Sequence, residues 1–249
     1  MKTTFPQLLL KHAAERPDAP ALREKEYGIW QAHSWAALAR LVEQVAAGLH
    51  LAGLQRHEHM VVIGANRPRL YATMLAVQSL GAIPVPLYQD SVGAECIFPI
   101  NNAEVRFCMV EDQEQVDKLL EIRAQCPQIA HIFFDDPRGL RNYQEEGLSS
   151  LDALIDAGKA FIGQNPAWFR DAVAAEVSRI DWHRYPDRAA TDLRAAIAAT
   201  HGVDPSQVFA ANGSNEVLQT VLLAYAGPGR TVATFEPTYQ MHAQIARVT

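Results

Sequence analysis

Cysteine is scarce in this sequence, and its three copies, Cys96, Cys108 and Cys126, do not share the spacing of a metal site. An odd number cannot pair completely within one chain, so we expect reduced thiols in a buried core. Long apolar runs are also missing, and no stretch approaches the roughly twenty residues that a membrane span needs. The first residues lack the apolar length and cleavage site of a signal peptide. These features predict a cytoplasmic protein.

A surplus of positive charge is missing as well. The chain of 249 residues has 28 acidic and 22 basic residues, and its formal net charge is −6. The two signs are interspersed without a basic stripe, which argues against nucleic acid as a partner. The glycines form neither of the two common nucleotide-binding patterns, Gly-x-Gly-x-x-Gly and Gly-x-x-x-x-Gly-Lys-Ser/Thr. The length is sufficient for one large domain or two small ones.

What the chain does have is a strand, a helix and a second strand within residues 60–88. Residues 60–63 are apolar and β-branched, as in a strand that is buried on both faces. Asn66 is a candidate cap for the next helix, and Pro68 suits its first turn. Pro84 and Pro86 each lack a backbone donor, so the second strand is expected at a sheet edge. This pattern predicts a right-handed βαβ unit with a parallel sheet.

Further strands and helices alternate on both sides of this unit. We expect helices over 5–15, 35–49, 92–102, 111–122 and 148–161, and strands near 19–24, 30–33, 105–110 and 129–134. Pro99 should kink or shorten the helix that contains it. The alternation predicts a layered α/β fold with a parallel or mixed sheet of βαβ units.

The pattern changes around residues 163–166. After a helix over 168–179 and an extended stretch at 181–187, strands are expected at 208–210 and 231–235 and helices at 189–200 and 216–225. The turn Asn212-Gly213-Ser214-Asn215 before a helix can bind an anion, because free N–H groups and the Ser214 hydroxyl lie together there. A plain capping turn explains the same residues. Tyr239 is open to two readings in the same way: it can stack on a flat ligand ring or fill a half-buried core position.

Taken together, residues from about 180 to 249 resemble an early segment of histidinol-phosphate aminotransferase. The matching runs are Trp182-His183-Arg184-Tyr185-Pro186-Asp187, His201-Gly202-Val203-Asp204-Pro205, Asn212-Gly213-Ser214-Asn215-Glu216-Val217-Leu218, Gly227-Pro228-Gly229 and Glu236-Pro237-Thr238-Tyr239. The resemblance implies a pyridoxal phosphate (PLP) enzyme of the fold type I class, with a two-domain α/β fold and a homodimeric assembly.

The same resemblance implies a cofactor site within that turn. Gly213 lies in the turn, and the amides of Ser214 and Asn215 would hold the cofactor phosphate. Tyr239 would lie against the pyridine ring, and Tyr185 would reach the phosphate of the neighbouring subunit. Asn215 stands where the family commonly has Asp, which leaves a backbone contact intact. Transamination also needs a lysine for the Schiff base, but the last lysine of this chain is Lys159, outside the matching residues.

Residues from Phe5 to about Ala174 resemble the N-terminal region of bacterial long-chain acyl-CoA synthetases, which are adenylate-forming enzymes. The matching runs are Tyr27-Gly28-Ile29-Trp30-Gln31, Ser34-Trp35, Ile63-Gly64-Ala65-Asn66-Arg67-Pro68, residues 80–91, residues 102–107, residues 110–120 and Asp135-Asp136-Pro137-Arg138-Gly139. The resemblance implies ATP, magnesium, a fatty acid and coenzyme A as ligands of the intact enzyme. That family's Ser/Thr/Gly-rich phosphate loop, which ends in Pro-Lys-Gly, does not occur in this sequence.

The leading hypothesis is therefore a composite chain, with an acyl-CoA-ligase-like part over residues 1–174 and an aminotransferase-like part over residues 175–249. We expect it to lack both activities and to use no functional cofactor, and we assign no catalytic and no metal-binding residue. A fatty-acid ligase remains an alternative, and so does a module that binds PLP or phosphate without catalysis. Sheet edges and helix faces that a missing half would cover predict a loose or aggregating protein.

Overall fold

A computed structural model describes residues 3–179, 189–211, 213–227, 229–234 and 241–248. The chain divides into two compact units, Met1–Trp182 and His183–Thr249, and each is described by itself. The first unit is α/β with a parallel sheet, which confirms the predicted fold class. The boundary between an acyl-CoA-ligase-like part and an aminotransferase-like part at residues 174 and 175 stays a prediction.

The first unit contains seven strands and seven α-helices among its described residues. Its strands are β1 (Pro20–Glu26), β2 (Ile29–Ser34), β3 (His59–Ile63), β4 (Ile83–Leu87), β5 (Phe107–Val110), β6 (His131–Phe134) and β7 (Leu148–Ser150). Its helices are α1 (Phe5–Glu15), α2 (Trp35–Leu51), α3 (Pro68–Ser79), α4 (Gly93–Asn102), α5 (Gln113–Glu121), α6 (Leu151–Gln164) and α7 (Trp168–Arg179), with a short 3₁₀ turn at Arg123–Gln125.

Five of the strands form one parallel sheet in the order β4-β3-β5-β6-β7, and β1 and β2 form a separate antiparallel hairpin. Alternate residues of β3 face two different apolar cores. Met60 and Val62 pack into one core with α2, α3, α6 and α7, whereas Val61 and Ile63 pack into the other with α4 and α5. Helices therefore cover both faces of the sheet, as parallel sheets require.

The edge strand β4 is closed to further pairing by its two prolines. Ile83 donates its N–H to Glu58 on the β3 side, at 2.9 Å. Because backbone N–H groups alternate along a strand, the nitrogens of Pro84 and Pro86 face the open side and carry no hydrogen. The predicted edge position is confirmed, and this edge offers an incoming strand no donor at these two positions.

Helix α7 packs on the core of the first unit. Phe169 and Val173 are each only 2% exposed and belong to the α2–α3 side of the core. One turn further on, Glu176 accepts a hydrogen bond from Arg56 Nε at 2.6 Å. These contacts anchor the helix over most of its length.

Three expectations for this unit need correction. Residues 148–150 form strand β7, and Ser150 caps the helix that follows, so that helix begins later than predicted. Helix α4 continues past Pro99 to Asn102, so the proline does not shorten it, and the kink stays a prediction. Asn66 does not cap α3. The N-cap is Arg67, and Asn66 Oδ1 instead accepts a hydrogen bond from the Tyr71 hydroxyl at 3.1 Å.

The described part of the second unit is helical. It contains α8 (Thr191–His201), α9 (Ser214–Tyr225) and α10 (Met241–Val248), with a 3₁₀ turn at Pro205–Gln207. The strand predicted at residues 208–210 is wrong, and no strand forms at residues 231–234 either. An extended segment becomes a strand only when a neighbour pairs with it, and the described residues of this unit supply none.

Two findings concern the described residues as a whole. None of their helices is both long and apolar enough to cross a bilayer. All three cysteines are buried and free in the α4–α5 core, as expected of core thiols. Burial raises the pKa of the Cys108 thiol far above its ordinary range, so this thiol stays protonated.

Candidate functional site

The carboxyl ends of the parallel strands bring together residues that are distant in sequence. From β3 the chain crosses to β4 on one side, whereas from β5 it crosses to β6 on the other. Ligands of parallel α/β sheets bind at the carboxyl edge where such connections diverge. The segments that meet there are Gly64–Arg67 after β3, Glu111 after β5 and Asp135-Asp136 after β6.

Glu111 holds the turn after β3. Its Oε2 accepts the Ala65 N–H at 2.5 Å, and its Oε1 accepts a hydrogen bond from Arg67 Nε at 2.7 Å. The hydrogen bond from Arg67, reinforced by the nearby negative charge, raises the pKa of that guanidinium above its ordinary value. Gly64 has no room for a side chain, because a Cβ there would lie 2.8 Å from the Glu111 Cβ.

A second ion-pair group lies beside the first. Arg69 Nε is 2.8 Å from Asp135 Oδ1, an ion pair rather than an aligned hydrogen bond, and its Nη2 lies 2.6 Å from Asp152 Oδ1. Burial raises the pKa of the Asp135 carboxyl, while the charge of Arg69 opposes that rise. Arg138 chelates Asp136 and lowers the pKa of that carboxyl.

The arginines at this edge are thus matched by carboxylates. Arg67, Arg69 and Arg138 each have a carboxylate partner within 2.8 Å. A triphosphate would have to compete with these contacts for every one of the three guanidinium groups. The cluster therefore holds the strand-end turns together.

A cavity of about 670 Å³ lies between α3 and the ends of β3 and β4. Its walls are mostly apolar, with Val62, Leu70, Met74 and Pro86, and its rim carries Asn66, Tyr71, Tyr88, Gln89 and Asp90. Size and composition are typical of small-molecule sites. Its lining contains no lysine, histidine, cysteine or serine.

The residues of the predicted anion site lie at the start of α9. The helix begins at Ser214, directly after Gly213 with a φ of 94°, and the side chains of Ser214 and Asn215 are exposed. The amides of Ser214 and Asn215 precede the first intrahelical bond, from Val217 N–H to the Gly213 carbonyl oxygen. Three of the five predicted site residues therefore lie together at a helix N-terminus. Tyr185 and Tyr239 lie outside the described residues.

Comparison with known proteins shows that two parts of the chain match two different protein families. The family model for AMP-binding enzymes matches residues 9–175, about two thirds of the sequence. The chain belongs to the AMP-binding enzyme family. The family model for aminotransferase class I and II matches residues 148–249, so the two matches share residues 148–175. The composite origin that the sequence predicts is confirmed.

Solved structures support the fold of this AMP-binding enzyme family member. Acetoacetyl-CoA synthetase from Streptomyces lividans covers 60% of the chain with a TM-score of 0.54 and 21% identity, and 24% of that enzyme is covered. Coronafacic acid ligase from Pectobacterium brasiliense covers 62% with a TM-score of 0.55 and 19% identity, and 29% of that enzyme is covered. At these identities the likeness concerns the fold alone.

Curated relatives match the other segment. Histidinol-phosphate aminotransferase of Thermobifida fusca (strain YX) is 54% identical over 78 residues, which are 30% of this chain and 21% of the relative. The enzyme of Frankia casuarinae is 51% identical over 127 residues, 46% of this chain and 30% of the relative. The chain thus spans about a fifth to a third of the length of these curated relatives.

The sequence patterns did not predict the cluster of arginines and carboxylates at the carboxyl edge of the sheet, which includes Arg67, Glu111 and Asp135. A signal was present, because Glu111 and Asp135 each follow a buried apolar strand directly. The runs at residues 105–110 and 129–134 predicted those strands. Which strand ends become neighbours depends on the strand order, and that order is not readable from either run.

Proposed function

We propose that these 249 residues form a catalytically incomplete scaffold, derived mainly from a long-chain fatty acid–CoA ligase and joined to an aminotransferase segment. The observation that carries this proposal is the pairing of Arg67, Arg69 and Arg138 with carboxylates at the carboxyl edge. Sequence supports it, since the chain has no phosphate loop ending in Pro-Lys-Gly. The proposal includes the boundary near residue 174 and a cytoplasmic location, which the three free buried thiols favour.

Fatty-acid-dependent exchange of pyrophosphate into ATP tests the ligase part. ATP, magnesium and fatty acids of short, medium and long chain are supplied to the purified chain, and a mock purification from the same host serves as the control. We expect exchange no faster than in the mock preparation. Exchange that requires the fatty acid and disappears in a Glu111→Gln variant would overturn the proposal. The variant disturbs the turn after β3, which Glu111 holds in place, so its loss of exchange would assign the activity to this chain and not to a contaminant.

Weak binding of the PLP phosphate at the start of α9 is a second candidate function. Backbone amides and a hydroxyl at a helix N-terminus are the donors that a phosphate prefers, and Ser214 and Asn215 supply them, whereas the Gly213 N–H is bonded to the Ala211 carbonyl oxygen at 2.9 Å. The residues fit the phosphate end of the cofactor only, because the sequence has no lysine after Lys159 to hold its aldehyde. When bound, PLP would supply an electron sink for amino-acid chemistry. This chain's residues would bind and orient its phosphate.

Titration with inorganic phosphate and with PLP distinguishes binding from a plain capping turn. We expect chemical-shift changes at the Ser214 and Asn215 amides. Ser214→Pro removes the first of these amides, so the change at the Asn215 amide should become weaker, whereas Ser206→Pro is the control at another exposed turn. Unchanged amide shifts at high phosphate concentration would leave the capping turn as the explanation. An aldimine absorbance band that maps to the second unit would contradict the expected lack of a Schiff-base lysine there.

A further inference from the structure

The hairpin of β1 and β2 has a turn that determines which backbone groups face outward. Tyr27 and Gly28 have φ values of 47° and 82°, and Glu26 pairs with Ile29 across them. Two positive φ values in a two-residue loop define a type I′ turn, whose flanking residues exchange both of their hydrogen bonds. Hydrogen-bonded and non-hydrogen-bonded pairs alternate from there. Trp30 and Ala32 belong to non-hydrogen-bonded pairs, so their N–H and C=O groups face away from β1.

This outward edge of β2 is accessible. Among the described residues the hairpin is a sheet of its own, and no third strand pairs with it. The first four residues of β2 are exposed, including Ile29 at 65% and Trp30 at 66%. An exposed, apolar and unpaired strand edge is a template for another strand.

Charge distinguishes β2 from the other candidate edges of the first unit. Strand β2, Ile29–Ser34, contains no Asp, Glu, Lys or Arg. Pairing of β1 with itself would place Arg23 opposite Lys25 of the partner subunit and would bring two copies of Glu24 together, which like-charge repulsion opposes. Prolines block β4, as described above. Strand β7, at the other edge of the five-stranded sheet, has only three residues to offer. Of the longer strands β1, β2 and β4, β2 is therefore the one whose edge a second copy can approach without charge repulsion or missing donors.

We propose that β2 pairs in antiparallel register with β2 of a second copy of this chain, centred on Gln31. In this register Trp30 lies opposite Ala32 of the partner subunit, and Ala32 lies opposite Trp30 of the partner subunit. The two pairs exchange four main-chain hydrogen bonds, since all their N–H and C=O groups face outward. Each large indole lies across from a small methyl group. The two Gln31 side chains meet on the two-fold axis as a closely spaced non-hydrogen-bonded pair.

Sedimentation of charge variants over roughly a hundredfold range of concentration tests this pairing, because association follows mass action. We expect the unchanged chain to dimerise. Gln31→Lys and Gln31→Glu, each alone, should weaken dimerisation by about tenfold or more, because like charges then meet on the axis. An equimolar mixture of the two variants should restore a dimer that contains one copy of each. Gln125→Lys, at an exposed position outside the hairpin, should dimerise like the unchanged chain.

A second variant keeps the test independent of charge. Ala32→Pro removes an outward N–H and leaves the inward bonds to β1 in place, so the chain should stay folded by circular dichroism and become monomeric. A monomer at every concentration would overturn the proposal. Dimerisation that is unaffected by Gln31→Lys and by Ala32→Pro, or a mixture of charge variants that stays monomeric, would also overturn it. None of these outcomes depends on ligase or aminotransferase activity.

Discussion

His57 lies in the turn before β3 with a φ of 68°, in the left-handed region that favours glycine. Its side chain is exposed and contacts Arg56. A side chain with a Cβ pays about 1–2 kcal/mol of steric energy in this conformation, and an exposed contact offsets little of it.

We therefore predict that His57→Gly raises the free energy of unfolding by about 0.5–1 kcal/mol, after allowing for the greater chain entropy of glycine. His59→Gly, two residues later within β3, is the matched control and should lower stability, because glycine weakens a strand interior. Denaturant titration of both variants measures the difference. A stability loss of similar size in the two variants would show that the φ of residue 57 carries no strain.

Capping residues show how far sequence reasoning reaches at this scale. Ser34 caps α2, as its position before an apolar helical pattern predicts. Asp112 caps α5, whereas the sequence pattern predicted it inside that helix. Asn66 has an equally suitable side chain but bonds to Tyr71 instead. The competing partner, Tyr71, lies in the first turns of α3 itself. Rules for N-caps consider only the backbone N–H groups at the helix start and do not include such a side chain.

At the scale of elements, helices α2 and α6 pack closely against each other at two glycines, Gly48 of α2 and Gly158 of α6. A Cβ on Gly158 would overlap the carbonyl oxygen of Gln44, and one on Gly48 would overlap the backbone of Leu154. Both glycines are buried within helices. Because glycine has no side chain, these two positions allow the helices to pack at this short distance.

We predict that Gly158→Ala lowers the free energy of unfolding by about 1–3 kcal/mol, as expected for overpacking in a tight core. Gly163→Ala lies in the same helix, where a Cβ would meet nothing within 4 Å. That control should be neutral or stabilising by up to about 1 kcal/mol, since alanine favours helices. Thermal unfolding monitored at 222 nm compares the two. Equal effects would mean that α6 does not pack on α2 through Gly158.

The prolines of β4 give a prediction about association. Replacing both Pro84 and Pro86 with alanine creates two outward N–H donors on an edge strand, so the variant should aggregate faster than the unchanged chain. Pro127→Ala, at an exposed loop position, controls for the loss of a proline. Light scattering at constant temperature follows the rate. A rate equal to that of the control would show that the two prolines do not protect this edge.

The elements that sequence patterns predicted well are those with their own periodicity. Helices α1, α2 and α7 and strands β3 and β6 follow from apolar spacing alone. Strand β7 has only three residues and gives no pattern of its own. The strands expected at residues 208–210 and 231–235 do not form in their described residues, because a short apolar run is compatible with a strand but does not create a partner for it.

For the whole molecule, the fold class and its composite origin were accessible from sequence, whereas the site at the carboxyl edge was not. Local runs specify strands, and the helical crossovers between them specify that the strands run parallel. The order β4-β3-β5-β6-β7 is a property of the assembled sheet and not of any one run. That order alone makes neighbours of Arg67, Glu111 and Asp135, so no local pattern predicts the cluster.

The two units differ in how much apolar surface they bury. The first unit has one apolar core on each face of its sheet, with Val62 at 1% exposure and many equally buried neighbours. Among the described residues of the second unit, the buried apolar side chains are Ala198, Leu222 and Ile245. Because burial of apolar groups supplies most of the stability of a fold, the second unit should open far more often than the first.

Hydrogen exchange measures this difference residue by residue. We predict that amides in α9 and α10 exchange at least about a hundredfold faster than those in β3 and β5, because low local burial permits local unfolding. Leu222→Ala should remove the remaining protection of α9 and α10 and leave β3 unchanged, whereas Val62→Ala should lower protection in β3 and leave α9 unchanged. If either substitution changed the protection of both units, the two would unfold as one cooperative domain. Separate effects would show that an AMP-binding scaffold and an aminotransferase segment keep independent stabilities within one chain.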